Sequence, residues 1–76
     1  MFDSRVEAIE FIVSEDSPVT NTSFMELQLK NNLLVPFISR KGKVFIPTGQ
    51  DCIQVGDEVM IVTTHTGFKE ITDILA

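Results

Sequence analysis

The chain has one histidine, His65, and one cysteine, Cys52, two side chains that serve widely as general base and nucleophile. A general base works beside a nucleophile or an orienting carboxylate, and no motif around His65 supplies either. Cys52 follows Asp51, whereas a reactive thiolate needs positively charged surroundings. We therefore interpret His65 as a structural or exposed side chain, with a ligand contact as the alternative. Cys52 is interpreted as a small, partly buried filler.

The remaining polar residues also lack the spacing of a chemical site. The single cysteine has no partner for a disulfide within the chain, and no zinc-ligand spacing is present. A Ca²⁺ ion needs about six to eight closely arranged oxygens, whereas the acidic residues are spread along the chain and predict a solvated surface. The four glycines do not have the spacing of a phosphate-binding loop and fit turns or caps. The sequence therefore predicts no enzyme activity, no metal and no cofactor.

Composition predicts one small globular domain. The chain has 76 residues, of which 43% are apolar, and a net charge of −5. That charge argues against nucleic-acid binding, which needs a basic face. The local basic cluster of Arg40, Lys41 and Lys43 is expected to be a solvated turn, with an anion contact as the alternative. No segment reaches the roughly 18 apolar residues of a membrane span. The free thiol and the lack of a secretory signal favour the cytoplasm.

The first half of the chain is predicted to contain a strand, a loop and a helix. Residues 5–13 are rich in β-branched side chains without a clean period, which indicates a strand covered on both sides for part of its length. Pro18 lies in the polar loop that follows. Ser23 and Glu26 have capping-box spacing, so a helix of about two turns is expected to begin at Ser23 and to end at residues 30–32.

The second half is predicted to contain three strands and a helix. Leu33–Arg40 and residues 43–47 form a hairpin around Lys41-Gly42, with Pro36 at an unpaired side or a bulge. Ile53 and Val55 are expected to point inward, and Gly56-Asp57 to turn into a central buried strand over Glu58–Thr63. A helix capped by Thr66 or Gly67 then presents Phe68, Ile71, Thr72 and Leu75 on one side. The expected fold is a single α+β domain over residues 1–76, in the order β-α-β-β-β-α, with helices packed on a mostly antiparallel sheet.

The order of these elements resembles the TrkA C-terminal family from about Val6 to Val62. Members typically have a first strand, a loop ending in a Pro-Val-like pair and a short leucine-containing helix. A hairpin around a glycine turn and a Gly-Asp turn before an apolar strand follow. The corresponding positions here are Ser17, Pro18, Val19, Leu27, Leu29, Arg40, Gly42, Pro47, Gly49, Gly56 and Asp57.

The resemblance implies a regulatory domain of a bacterial potassium channel or uptake system. Such domains follow a nucleotide-binding domain, form homodimers, and in some members bind cyclic di-AMP at the dimer interface. The resemblance therefore also implies that the chain is part of a longer protein. The alternatives are a ligand-free dimerisation module, or the effector domain of another transporter or of a transcription regulator.

The resemblance also implies a ligand site at the junction between the predicted helix and the hairpin. Lys30 corresponds to the basic residue of the family site, Val35 to its apolar wall and Pro47 to its proline. An Asn or His of the family falls on Leu34, and the junction is shorter here by about two residues, so that Asn32 or Asn31 is the candidate substitute.

Overall fold

Four β-strands form one antiparallel sheet in the computed structural model, which describes residues 6–76. The strands are β1 (Glu7–Ile12), β2 (Leu33–Arg40), β3 (Lys43–Phe45) and β4 (Glu58–Thr63). They lie side by side in the order β1-β4-β2-β3, so β4 is central, as predicted, and β1 and β3 are the edges. Residues 1–5, which belong to the predicted domain and include the predicted start of the first strand, lie outside the described residues.

The alternation of side chains along β4 gives the sheet one buried face. Val59, Ile61 and Thr63 are buried, whereas Glu58 is exposed and Met60 and Val62 are only half-buried. We call the side of Val59 and Ile61 the inner face and the opposite side the outer face. Burying a Val or Ile side chain contributes about 1.5–3 kcal/mol. The inner face is covered by residues outside the sheet, and the core is completed by Val13, Val19, Ile53 and Ile74.

The hairpin between β2 and β3 agrees with the prediction. Lys41 and Gly42 both have positive φ, +53° and +80°, as a two-residue turn of this kind requires. Pro36 lies where the pairing between β2 and β4 shifts by one residue, between Leu34 and Phe37. This shift confirms the predicted bulge. The bulge accommodates Pro36, because a proline has no N–H to donate to the neighbouring strand.

The helix predicted from Ser23 is wrong. Only one turn forms, in which the amides of Glu26 and Leu27 donate to the Ser23 carbonyl over 2.9 and 3.1 Å. The Lys30 amide, which in a continued helix would donate to the Glu26 carbonyl, donates instead to the Ile74 carbonyl over 2.9 Å, and Leu29 forms a bridge with Leu75. A helix cannot continue where its backbone donors are committed to another segment.

The predicted C-terminal α-helix is also wrong. Ile71–Ile74 form a four-residue 3₁₀ helix. The Asp73 carboxylate accepts from the amides of Lys69 and Glu70 over 2.7 and 3.1 Å, which holds the segment in a tight turn. Leu75 then returns to extended backbone and pairs with Leu29. So short a segment cannot offset the cost of starting an α-helix.

The α+β class and the order β-α-β-β-β-α are therefore corrected. Residues 6–76 form an almost entirely antiparallel β domain whose irregular segments, rather than helices, cover the sheet. Two smaller expectations also fail, since Val55 is exposed and the outer face of β1 is uncovered in the single chain. Within the same residues no helix is long and apolar enough to cross a membrane.

An ion pair between Arg40 and Asp57 ties the hairpin to the start of β4. The Arg40 guanidinium donates from Nε to Oδ1 and from Nη2 to Oδ2, both over 2.9 Å, and from Nη2 to the Cys52 carbonyl over 2.8 Å. Asp57 is only 1% exposed, and its Oδ2 also accepts from the Gln54 amide over 2.9 Å. Such two-pronged pairs fix geometry as well as charge.

Replacing Arg40 by Met should destabilise the domain by about 3 kcal/mol, because the buried Asp57 carboxylate loses its cation. Urea unfolding followed by circular dichroism would measure the loss. Lys43→Met is the matched control, since Lys43 is exposed beside Arg40 in the hairpin and its removal changes the net charge equally. An equal loss in both variants would contradict a specific role for the ion pair.

The same pair predicts a pH dependence. Burial raises the pKa of Asp57, but hydrogen bonds from Arg40 and the Gln54 amide outweigh burial, and the pKa lies below its ordinary value of 3.8. The stabilisation by ionised Asp57 is therefore complete above 3.8 and is lost as the pH falls toward the lowered pKa. The difference in unfolding free energy between wild type and Asp57→Asn, measured from pH 7 to pH 2, should shrink below about pH 4. A constant difference would contradict this prediction.

Candidate functional site

The Lys30 side chain binds the C-terminal segment of its own chain. Its Nζ donates to the carbonyls of Asp73 and Leu75 over 2.7 and 2.6 Å, and its backbone amide donates to the Ile74 carbonyl over 2.9 Å. Nζ also lies 5.7 Å from the centre of the Phe68 ring, within the range of a cation–π contact. The ammonium predicted to meet a ligand is thus already satisfied by the fold.

Asn31 and Asn32 connect this segment to the end of β4 through their backbone carbonyls. The Asn31 carbonyl lies 2.8 Å from Nε2 of His65, which must carry the proton because a carbonyl only accepts. The Asn32 carbonyl accepts from the Thr63 hydroxyl over 2.9 Å. Asn32 has a φ of +58°, a left-handed conformation that asparagine tolerates, and its side chain is exposed.

His65 is accordingly a structural residue. Besides its bond to Asn31, its backbone amide donates to the Thr63 hydroxyl over 3.1 Å. Its ring stacks on Phe68 with the ring centres 6.0 Å apart. These contacts fasten the chain after β4 to the chain before β2.

Two of the predicted site residues share one shallow depression on the outer face. It has a volume of about 320 Å³ and includes Asn32 and Leu34, the latter with 66% of its surface exposed. Val35 packs against the core and does not line this depression. Pro47, two residues beyond the end of β3, does not line it either. The structure therefore brings Asn32 and Leu34 together in one depression that Lys30, Val35 and Pro47 do not line.

The rest of the depression comes from a part of the sequence that was not predicted to contribute. Val62 and Thr63 at the end of β4, and Thr64 directly after it, line the depression beside Leu33. The pairing of Leu34 with Val62 brings them there. The alternation of side chains along β4 could have indicated this contribution, because it places Val62 on the outer face, opposite Ile61. The exposed part of this surface is apolar at Leu34 and Val62, with the polar residues Asn32 and Thr64 beside them.

The other candidate residues have structural positions. Arg40 of the basic cluster belongs to the ion pair with Asp57, whereas Lys41 and Lys43 are exposed at the turn, as predicted. Cys52 is half-buried, as predicted, and its carbonyl accepts from Arg40. No three metal-binding side chains cluster within the part of the chain that the structure describes.

The TrkA-C domain family model matches residues 8–76. This chain belongs to the TrkA-C domain family. The match covers β2, β3, β4, the 3₁₀ helix and all of β1 except Glu7, so family membership and the architecture concern nearly the same residues.

Relatives of this TrkA-C domain are named Trk system potassium uptake protein TrkA homologs. The one from Archaeoglobus fulgidus is 36% identical over 59 residues, which are 78% of this chain and 14% of the relative. The one from Pyrococcus abyssi is 30% identical over 70 residues, 91% of this chain and 31% of the relative. One from Methanosarcina mazei is 22% identical over 72 residues, which are 95% of this chain and 18% of the relative. The domain thus spans less than a third of these archaeal relatives, which do not support the expected bacterial source.

Replacing Lys30 by Met should loosen the C-terminal segment of the TrkA-C domain. Hydrogen bonds to a charged group each contribute about 1.5–3 kcal/mol, so amide exchange should accelerate in residues 68–76 more than in β4. Hydrogen exchange measured by NMR tests this, with exposed Lys69→Met as the control of equal charge. Unchanged exchange in residues 68–76 would show that the ammonium does not hold the segment.

Proposed function

We propose that this domain regulates a potassium-transport protein, of which it forms one cytoplasmic part. The observation that carries the proposal is the match of residues 8–76 to the TrkA-C domain, together with relatives named for the Trk potassium uptake system. The rest of the parent protein would be a nucleotide-binding domain or a membrane transporter subunit. The domain has no catalysis of its own in this proposal and acts by changing its arrangement.

The regulatory signal is proposed to be a small nucleotide such as cyclic di-AMP, bound between two copies of the domain. The depression beside Asn32 and Leu34 supports this proposal, because it is apolar, lies open on the outer face and has an exposed amide at its edge. A base could lie on Leu34 and Val62 while Asn32 meets its polar edge. A second copy would close the side that one copy leaves open.

Lys30 supports a specific way of coupling ligand binding to the fold. A ligand phosphate that reached its ammonium would compete with the carbonyls of Asp73 and Leu75. Binding would then release the C-terminal segment, and the ligand could shift the domain only by its difference in affinity for the two states. Val35 packs against the core and neither Val35 nor Pro47 lines the depression, so neither is a direct contact in this proposal.

A ligand-free dimerisation module is the second candidate. The observation in its favour is again Lys30, whose ammonium already has two carbonyl partners and an aromatic ring. An effector domain of another transporter or of a transcription regulator would have the same fold. Sequencing the gene upstream and downstream of this domain would distinguish these two classes of parent protein from a potassium transporter.

Thermal unfolding with cyclic di-AMP, ATP and other nucleotides tests the ligand proposal. A ligand at 100 times its dissociation constant adds about 2.7 kcal/mol of stability. Each kcal/mol raises Tm of a domain this small by about 4–8 °C. We therefore expect cyclic di-AMP to raise Tm by about 10 °C or more. No shift with any of these nucleotides at millimolar concentration would favour the ligand-free module.

A pair of asparagine variants makes this test specific. Asn32 and Asn21 have nearly the same φ, +58° and +60°, and glycine accepts both conformations. Asn32→Gly should abolish most of the ligand-induced shift, whereas Asn21→Gly, away from the depression, should retain it. An equal shift in both variants would place the ligand elsewhere.

A further inference from the structure

A small cleft lies beside the end of β1, between the turn that follows this strand and the segment that leads into the 3₁₀ helix. Its volume is about 220 Å³, and it is lined by residues between 11 and 17 on one side and by residues 69–72 on the other. We call it the β1 cleft. Thr63, which lines the depression on the outer face, pairs with Glu7 at the opposite end of β1. The cleft and the depression are therefore at opposite ends of the sheet.

The apolar lining of the β1 cleft belongs to the core of the domain. Val13 is buried, and Phe11 and Ile71 are half-buried and pack against the core. The fold therefore holds this wall in place before any ligand arrives. A site whose walls are already ordered loses little conformational entropy when a ligand binds.

Charged side chains of both signs also line the β1 cleft. Lys69 has an ammonium group, Glu15 and Glu70 have carboxylates, and all three residues are exposed. The Glu70 carboxylate accepts from the Thr72 hydroxyl over 3.2 Å. Within residues 6–76, the Lys69 ammonium and the Glu15 carboxylate form no ion pair and no side-chain hydrogen bond. Both charges are therefore available to a ligand.

The arrangement of these charges selects the kind of ligand. The carboxylates would repel a simple anion, and the ammonium would repel a simple cation. A molecule that carries one charge of each sign can present the complementary charge to each group. The β1 cleft is therefore suited to a zwitterion with an apolar part that packs on the apolar wall.

The volume of the β1 cleft limits this ligand to a small molecule. Pockets for drug-sized ligands have volumes of about 300–1,000 Å³. Since a water molecule takes about 30 Å³ in the liquid, 220 Å³ holds about seven atoms of that size. Amino acids from glycine to valine have about five to eight non-hydrogen atoms, and their amino and carboxyl groups are both charged at neutral pH.

We propose that the β1 cleft binds a small α-amino acid in its zwitterionic form. The Lys69 ammonium binds the carboxylate of the ligand, the Glu15 carboxylate binds its ammonium group, and the side chain of the ligand packs against the apolar wall. Because Lys69 and Glu15 belong to different segments, the bound amino acid connects the turn after β1 to the C-terminal segment. This site is additional to the proposed nucleotide site and does not depend on it.

NMR titration of the chain with glycine, L-alanine and L-valine tests the proposal. We expect the amide signals of residues 14–17 and 69–72 to shift, and L-valine to bind most tightly because it covers the most apolar surface. Isovalerate and isobutylamine are valine without its amino group and valine without its carboxylate. Each should bind at least about tenfold more weakly than L-valine, because each leaves a charged group of the cleft without its partner.

An absence of shifts in these residues with all three amino acids at millimolar concentration would overturn the proposal. Binding of isovalerate or isobutylamine as tight as that of L-valine would also overturn it, since the cleft would then recognise only one charge. The nucleotide melts report on a different surface, so the proposed function can fail while this site stands, and the reverse.

Two variants with matched controls locate the site. Lys69→Met and Glu15→Gln should each raise Kd for L-valine at least about tenfold. Lys43→Met and Glu10→Gln make the same changes in charge at exposed residues that do not line the β1 cleft, and they should leave Kd unchanged. Circular dichroism reports the fold of each variant. A Kd equal to that of the wild type in both Lys69→Met and Glu15→Gln would overturn the assigned contacts.

Discussion

The carboxylate of Asp57 is the point on which the rest of the structure depends. It receives the Arg40 guanidinium from β2 and the Gln54 amide from the preceding loop. Its backbone carbonyl accepts from the Val13 amide at the end of β1. The segments around residues 13, 40 and 54 therefore meet at one buried residue, and two of them bind its charge. In a domain with few helical hydrogen bonds of its own, such a junction replaces the local order that helices would provide.

The strands could be predicted from the sequence because their determinants are local. Turn residues and the alternation of apolar side chains placed β2 and β4 at their observed boundaries. The helices could not be predicted in this way. Ser23 and Glu26 have the spacing of a helix start, but tertiary contacts decide whether a helix forms there. The Lys30 amide donates to the Ile74 carbonyl rather than to the preceding turn, and no local pattern records that partner. The same holds for the C-terminal segment, which is held by Lys30.

The candidate site was predicted in part for the same reason. Asn32 and Leu34 are neighbours in sequence, and the structure leaves them on one surface. Lys30 carries the charge expected of a ligand-binding residue, but the two carbonyls that its ammonium binds lie more than forty positions away. Val62 joins the surface only through strand pairing. The residue types thus indicated which chemical groups a ligand site would use, whereas tertiary contacts determine which of those groups are free to bind a ligand.

The bulge at Val35 and Pro36 decides which side chains belong to which side of the domain. In a regular strand, residues three apart point in opposite directions, yet Leu34 and Phe37 both point outward. The extra residue reverses the parity of the strand beyond it, and this reversal also sends Ile38 into the core. Deleting one residue there would reverse the two faces of β2 beyond the bulge, so that its buried side chains would face water and its exposed side chains would face the core. The number of residues in the bulge therefore determines the fold as much as their identity does.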